Sequence, residues 1–555
     1  MIKFCVLTAA FLAASPAAFA QPATVNPGGQ LQQIPAAPTQ PKSIPDMRIE
    51  RGQAPADLGP PGARFLVRTL HVTGQTRFTE GQLVAAAQFR LGAEVDLREL
   101  RAMAARITDF YGSHGYFVAQ AYVPAQDVAG GAVTIVVVEG HYGKIVLNNR
   151  AHVSDGVARS VLEGLDSGDV VASAPLERRL LLLSDLPGVR VGSTLTPGER
   201  VGTSDLLVDL APGRHVDGVI EADNGGNRYT GVYRGGGVIN FNEPFGLGDV
   251  ASLRVLSAGS GLTYVRGAYQ ARIQDATVGV AYTHLNYRLG EEFKSLHAHG
   301  VADVASVYGS YPLIRSRDAN LYALADFQAK TLDDRIDETQ SVSKRSARVV
   351  SLGLDGDRRD HLWGGGWSSF SINWAQGDLD IKTPALRVVD AATARTQGGY
   401  GKLSFEADHL RRLSPSLSVY GAVRGQLASK NLDSSEKMEL GGLYGVRAYP
   451  EGEAYGDQGY IATAEVRLEL PALSNPSNQL QAVAFADYGS ITVNKRPWAP
   501  GVNHRDLSGA GVGLTWTERQ GFMVKVAYAF KLGDEPAQSA PDRSGRLWVQ
   551  VSKFF

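Results

Sequence analysis

His297 and His299 are the nearest approach to a metal pair in this sequence. They stand two residues apart with no third ligand in reach, short of the four ligands of a structural zinc site, and they read as loop residues. Gly235-Gly236-Gly237 and Gly364-Gly365-Gly366 lack the Lys-Ser/Thr that makes a glycine loop a phosphate cradle. They read as strand kinks or tight bends. Gly509-Ala510-Gly511-Val512-Gly513 lies in an alternating run and not before a helix, which argues against a dinucleotide site. There is no nucleophile elbow and no helical His-Glu pair. The charges that stand out instead lie on alternating strands. Glu465, Arg467 and Glu469 alternate with Ala464, Val466, Leu468 and Leu470, and Asp487 shares a face with Phe485. Nothing in the spacing fixes a catalytic geometry among the acids, so neither an enzyme nor a resident cofactor or metal is expected.

The bulk properties narrow the class. Lys3, an apolar stretch over 4–14 and Ala18-Phe19-Ala20 before Gln21 form a cleavable export signal over 1–20. Its apolar stretch is too short to span a bilayer as a helix. Cys5, the only cysteine, falls inside it with no small-residue lipobox, so the mature chain has no disulfide and no thiolate site. With 55 basic and 56 acidic residues the net charge is −1, which leaves no electrostatic footprint for nucleic acid. The 555 residues exceed one ordinary soluble core. No later apolar run is long enough for a spanning helix. Barrel strands remain open, because they hide their hydrophobicity by alternation.

The elements that would position the charges fall into two parts. Residues 21–62 are rich in Pro, Gln, Ala and Gly and read as a linker unable to order itself, with at most a short helix over 30–34. From Arg64 the order is a strand over 65–72, a helix capped by Thr79, a second helix capped by Asp96, and strands over 116–123 and 133–138. A second unit repeats it: a strand at 145–147, helices over 153–162 and 175–183, and strands over 189–195 and 206–210. Two tandem β-α-α-β-β modules are expected, at 63–141 and 142–212.

Beyond Gly213 no convincing amphipathic helix appears. Phe522, Val524, Val526, Tyr528 and Phe530 form one face of an alternating run. Leu547, Val549, Val551 and Phe555 form another, with Lys553 breaking the pattern where snorkelling is cheap. The 343 residues of 213–555 suit a mainly β, transmembrane antiparallel barrel of about 16 strands, about 21 residues for each strand and loop. A charge facing lipid is costly, so Asp487, Glu465 and Arg467 are expected to face the lumen, where an arginine could bind a carboxylate in bidentate fashion.

The mature chain resembles the two-partner secretion transporters (TpsB family), part of the BamA-related superfamily of barrels that carry polypeptide-transport-associated (POTRA) modules. In the first module the resemblance rests on Ile107-Thr108-Asp109-Phe110-Tyr111, Gly115-Tyr116, Pro124-Ala125-Gln126 and Val138-Glu139-Gly140. In the barrel it rests on Asp223-Asn224-Gly225-Gly226, Thr230-Gly231, Asn242 to Asp249, and Tyr311-Pro312-Leu313-Ile314-Arg315-Ser316. Val446-Arg447-Ala448-Tyr449 is similar to the superfamily's loop-tip motif, with Ala448 where Gly is commoner. Phe485-Ala486-Asp487-Tyr488-Gly489 is similar to its barrel-wall motif. The resemblance implies that the loop folds into the lumen and pairs Arg447 with Asp487, and that Phe555 serves recognition by the barrel-assembly machinery. It also implies a plug helix before the linker, held here to at most two turns by Pro22, Pro27, Pro35 and Pro38. If position 448 needs a positive φ, Ala448 is strained there.

The function so implied is export. The modules would sit in the periplasm of a Gram-negative cell, and the barrel, embedded in outer-membrane lipid, would conduct an unfolded exoprotein of adhesin or haemolysin type. A BamA-type insertase is the first alternative, though such proteins carry more modules. A passive porin is the second, and it leaves the modules unexplained.

Overall fold

In a computed structural model of the chain, residues 27–38, 46–49, 62–128, 130–475, 477–519 and 521–555 are described. The signal over 1–20 lies outside them. The first module splits its opening strand. The N–H groups of Arg68 and Thr69 both donate to the Gly131 carbonyl (2.7 and 3.2 Å), so the chain breaks at Arg68. Phe65–Val67 then pairs with Ala93–Val95, and Thr69–Thr73 runs parallel to Ala132–Val138. Both helices, Glu80–Ala86 and Leu97–Ser113, start at full capping boxes, Thr79 with Gln82 and Asp96 with Glu99. Leu83, Leu100, Ile107, Tyr111 and Ile135 are fully buried between helices and sheet. The strand expected over 116–123 is shorter, Gln120–Tyr122, because Phe117 and Val118 turn away to pack on the core of the second module.

The second module has the order anticipated. Strand His141–Asn149 is followed by helices Asp155–Leu162 and Ser173–Ser184 and strands Val189–Pro197 and Thr203–Pro212. Bonds from Val171 N–H to the Gly140 carbonyl and from Ser173 N–H to the Gly115 carbonyl (both 2.9 Å) fuse it to the first. The Pro-rich leader carries more order than a linker, and its helix stays within the two turns left open for a plug. Its residues Asp46–Ile49 add a parallel strand to the edge Gly192–Leu195, and Pro27–Gln32 form a helix inside the barrel. Each is held by partners distant in sequence, the helix with Leu31 packed on the cluster that includes Tyr229, Leu285 and Leu332.

From Val216 to Phe554 sixteen antiparallel strands close into a barrel among the described residues. Strand lengths run from 8 residues (Val216–Asp223) to 20 (Ser341–Asp360). The first and last strands pair from Val219↔Phe554 to Asp223↔Gln550, with Asn224 bonding Val549 and Leu547 through its side chain. Alternation explains the two faces. Val350, Leu352, Leu354, Ile372, Trp374, Tyr528 and Phe530 stand exposed on the outside, as a lipid-facing surface requires. One helix of the barrel region was not anticipated: Pro384–Ala392, begun by Pro384 at the first helical position, lies in the connection 382–397.

Candidate functional site in the barrel lumen

The connection 429–457 does not project from the barrel but folds into it. At its tip, Arg447 meets the wall strand Asn478–Thr492. Its Nε and Nη2 donate to Oδ2 and Oδ1 of Asp487 (both 2.8 Å), and its backbone N–H adds a third bond at 3.1 Å. Nη1 donates to Glu465 (2.9 Å), whose other oxygen accepts from Arg467 Nε (2.9 Å). Thr463 Oγ1 donates to Asp487 at 3.0 Å. The guanidinium lies 3.5 Å from the centroid of the Phe485 ring, a cation–π contact that costs no hydrogen bond. Asp487 is buried outright, so this is a fully satisfied buried network.

The tip is also held by its backbone. Trp548, on the closing strand Gly545–Phe554, donates its indole N–H to the Arg447 carbonyl at 2.6 Å. Between these walls the floor is small, with Gly509, Gly511, Ala527 and Ala529 facing the lumen. Ala448 and Tyr449 are buried there, and Ala448 is not among the residues with positive φ, so the strain envisaged for an alanine does not arise. Tyr449 Oη donates to the Glu535 carbonyl (3.0 Å). Gly489 lies against Val446 and Leu440, where a Cβ would crowd both.

The stem of the loop is pinned to the opposite wall. Glu436 takes Lys330 Nζ (2.6 Å) and Lys402 Nζ (2.8 Å), and Arg345 bridges Asp334 (2.6 Å) and Asp433 (2.5 Å). The N-terminal helix sits on this stem. Gly28 packs so closely on Ser435 that no side chain would fit, and Gln32 donates to the Ser435 carbonyl. Gln33 donates to Tyr455 Oη (2.5 Å), and Arg234 Nη1 donates to the Gln33 carbonyl (3.1 Å). Loop and helix together occupy the lumen, held by these polar contacts and by apolar packing of Leu440, Val446 and Tyr449 among Phe485, Ile491 and Leu507.

The residues singled out from sequence are thus brought together at one place: Val446, Arg447, Ala448 and Tyr449 from the loop, and Glu465, Arg467, Phe485, Asp487 and Gly489 from the wall. Phe555 lies away from them at the seam, exchanging backbone bonds with Gly218 (3.1 and 3.2 Å). Sequence reasoning missed Trp548, Lys330, Arg345, Lys402 and the loop acids Asp433 and Glu436. The wall residues among them carried a usable signal, a charge or indole at a lumen-facing position of an alternating strand. His297 and His299 gather no further ligands, and no cluster of three potential metal ligands exists among the described residues.

Comparison with known proteins gives this geometry its context. The profile of the haemolysin secretion/activation protein family ShlB/FhaC/HecB matches residues 202–516, and that of the ShlB-type POTRA domain matches 65–140. The heme/hemopexin transporter protein HuxB of Haemophilus influenzae Rd is 30% identical over 475 residues, 84% of this chain and 82% of its own. The outer membrane transporter CdiB of Dickeya dadantii is 24% identical over 488 residues, 84% of this chain and 83% of its own. The solved structure of CdiB from Escherichia coli superposes with a TM-score of 0.70 at 21% identity, covering 91% of this chain and 93% of that one. BamA from Haemophilus ducreyi lacking POTRA domains 1–3 shares the fold more distantly, with a TM-score of 0.55 at 13% identity. This chain belongs to the haemolysin secretion/activation family ShlB/FhaC/HecB, the outer-membrane barrels of two-partner secretion, with its POTRA modules in the periplasm.

Proposed function

We propose that the periplasmic modules capture one unfolded exoprotein, of adhesin or haemolysin type, and pass it to the barrel, whose lumen is closed at rest by the loop 429–457 and the N-terminal helix. The observation that carries this is the Arg447 latch: a loop tip held on the inner wall by polar contacts that can be broken and remade. An extended cargo segment can add to a module edge as a strand, with backbone bonds giving affinity and side-chain pockets giving selectivity. The role of the chain is transport and not catalysis. A passive porin fits poorly with a lumen so filled. A membrane-protein insertase fits less well with two modules than with the longer arrays of that group. Outer-membrane lipid is the barrel's solvent, and the barrel-assembly machinery is its partner during biogenesis.

Removing residues 64–211 tests the division of labour. The shortened protein is expected to insert but to release no cargo, while other outer-membrane proteins keep their levels. Undiminished cargo in the medium would sink it, and a general loss of outer-membrane proteins on deleting the whole chain would favour the insertase.

A further inference from the structure

We propose that Arg315, with the periplasmic turns beside it, forms a docking collar that holds the second POTRA module in the register from which cargo enters the pore; this rests on the transport reading above. Two sequence stretches, Asn242 to Asp249 and Tyr311 to Ser316, have no part in the lumenal latch, yet both lie at turns where generic turn residues would serve the barrel equally well. Each stretch shapes its own turn and also reaches the second module.

In the first turn, Asn242 Nδ2 donates to the Arg214 carbonyl (2.9 Å) and its N–H to the His215 carbonyl (2.8 Å), so the junction between module and barrel is pinned. Asp249 shapes the turn by accepting from Phe245 N–H (3.2 Å), Leu247 N–H (2.9 Å) and Tyr269 Oη (2.9 Å). The shaped turn presents the Gly246 carbonyl to the N–H of Ser154, the residue that caps helix Asp155–Leu162 (2.9 Å). Gly248, at φ +66°, lies against Leu186, where any side chain would collide.

The second stretch grips helix Ser173–Ser184 and the residue after it. Arg315 makes a bidentate pair with Asp185, Nε to Oδ2 at 2.8 Å and Nη2 to Oδ1 at 2.9 Å. Its Nη1 is steadied by Asn320 (3.0 Å), which in turn bonds Asp357 (3.0 Å). Arg178 Nη2 donates to the Pro312 carbonyl (2.8 Å), and the N–H of Arg317 donates to Glu177 (2.6 Å). A third turn adds Asp275, which accepts from Arg179 Nη1 (3.0 Å) and Arg178 Nη2 (3.4 Å). The Arg315 and Asp185 side chains are only 13% and 11% exposed, so removing either leaves a largely buried charge alone. The two strands flanking the turn are already zipped from Ala298↔Ile336 to Arg315↔Asn320, with one bulge at Leu313, so the pair adds little to the barrel itself. What it does set is direction. The strand Val189–Pro197, whose outer side is taken by Asp46–Ile49, begins four residues after Asp185, and the place of this sheet relative to the pore follows from where Asp185 is held.

The test uses the full chain in outer membranes and reads secreted cargo per inserted barrel. Arg315→Ala and Asp185→Ala are each expected to lower that ratio by at least about tenfold, below the full cost of stranding a buried charge because the other rim bonds still hold the module. The reversed pair, Arg315→Asp with Asp185→Arg, is expected to recover most of it. Trypsin cleavage after Arg214 should quicken in both singles and slow again in the reversed pair. Wild-type ratios in the singles would overturn the collar, and so would a reversed pair as low as the singles. Should Arg315→Ala fail to insert, Asp185→Asn, a change in the module and not in the barrel, carries the same expectation. If removing 64–211 leaves secretion intact, the capture role of the modules, on which the collar rests, fails. If that removal abolishes secretion while Arg315→Ala does not, only the collar fails.

Discussion

The methyl group of Ala448 occupies the space that Gly509 leaves by having no side chain. Gly509 is the ladder partner of Asp487, so the pocket for the methyl and the carboxylate that takes Arg447 are neighbours on adjacent wall strands. The latch therefore requires a small wall residue as much as a charged one.

Gly509→Ala should lift the tip and weaken the Arg447 bonds without touching either charged residue. Secretion per inserted barrel is expected to fall toward that of Arg447→Ala, and adding Ala448→Gly should restore it by returning the lost volume. A double variant no better than Gly509→Ala would show that the methyl contact is not what sets the tip's seat.

Arg447→Ala and Asp487→Ala should each sharply reduce secretion while the barrel still inserts. Each strands a buried charge, a cost of roughly 3–5 kcal/mol. The double substitution should cost less than the sum of the singles, with a coupling of about 0.5–3 kcal/mol. Additive losses would mean that the two do not act as a unit. Membrane levels falling in step with secretion would mean that they serve barrel folding and not gating.

Glu139 supplies a pH signature in the first module. Burial pushes its carboxyl up, but bonds from Thr76, the Arg77 N–H and Tyr111 Oη more than reverse this, and its pKa lies below the ordinary 4.5. A depressed carboxyl contributes stability that is complete above its unfolded value and is lost as pH falls through the folded one. Glu139→Gln should therefore cost about 1.5–3 kcal/mol at pH 7, read as faster exchange of the Thr76 and Arg77 amides. The difference from wild type should shrink below pH 4.5. A difference that persists unchanged into acid would rule out the carboxylate as its source.

Phe555 closes the seam by exchanging two backbone bonds with Gly218. Its deletion should lower the amount of folded barrel in the outer membrane and leave a periplasmic or degraded pool. Normal abundance under matched expression would show that the five ladder pairs from Val219 to Asp223 suffice for closure.

Much of this architecture was legible because it depends on local rules. Thr79 and Asp96 announce their helices through capping boxes, and Asp487 must face inward because lipid would not tolerate it. The parts that stayed hidden depend on partners distant in sequence. A plug helix before the linker was implied by resemblance alone, because the bonds that seat Pro27–Gln32 and Gln33 run to Thr230, Ser435 and Tyr455, all distant in sequence. Trp548 lies on the inner face of an alternating strand, and its role appears only once a carbonyl 101 residues away is placed above it. The Arg447–Asp487 pair was reached through family resemblance and not from spacing, because an arginine on a loop does not specify its carboxylate.

The packing of half-buried Phe117 and Val118 on the second module's core has a mechanical consequence. If the two modules move as one body, they act as a lever that pivots at the barrel rim. A polypeptide tugging at the far module exerts a torque on the rim contacts in proportion to the arm, while the same force applied beside the rim exerts almost none. The load felt at the pore thus depends on where along the arm a chain is gripped, independently of how tightly.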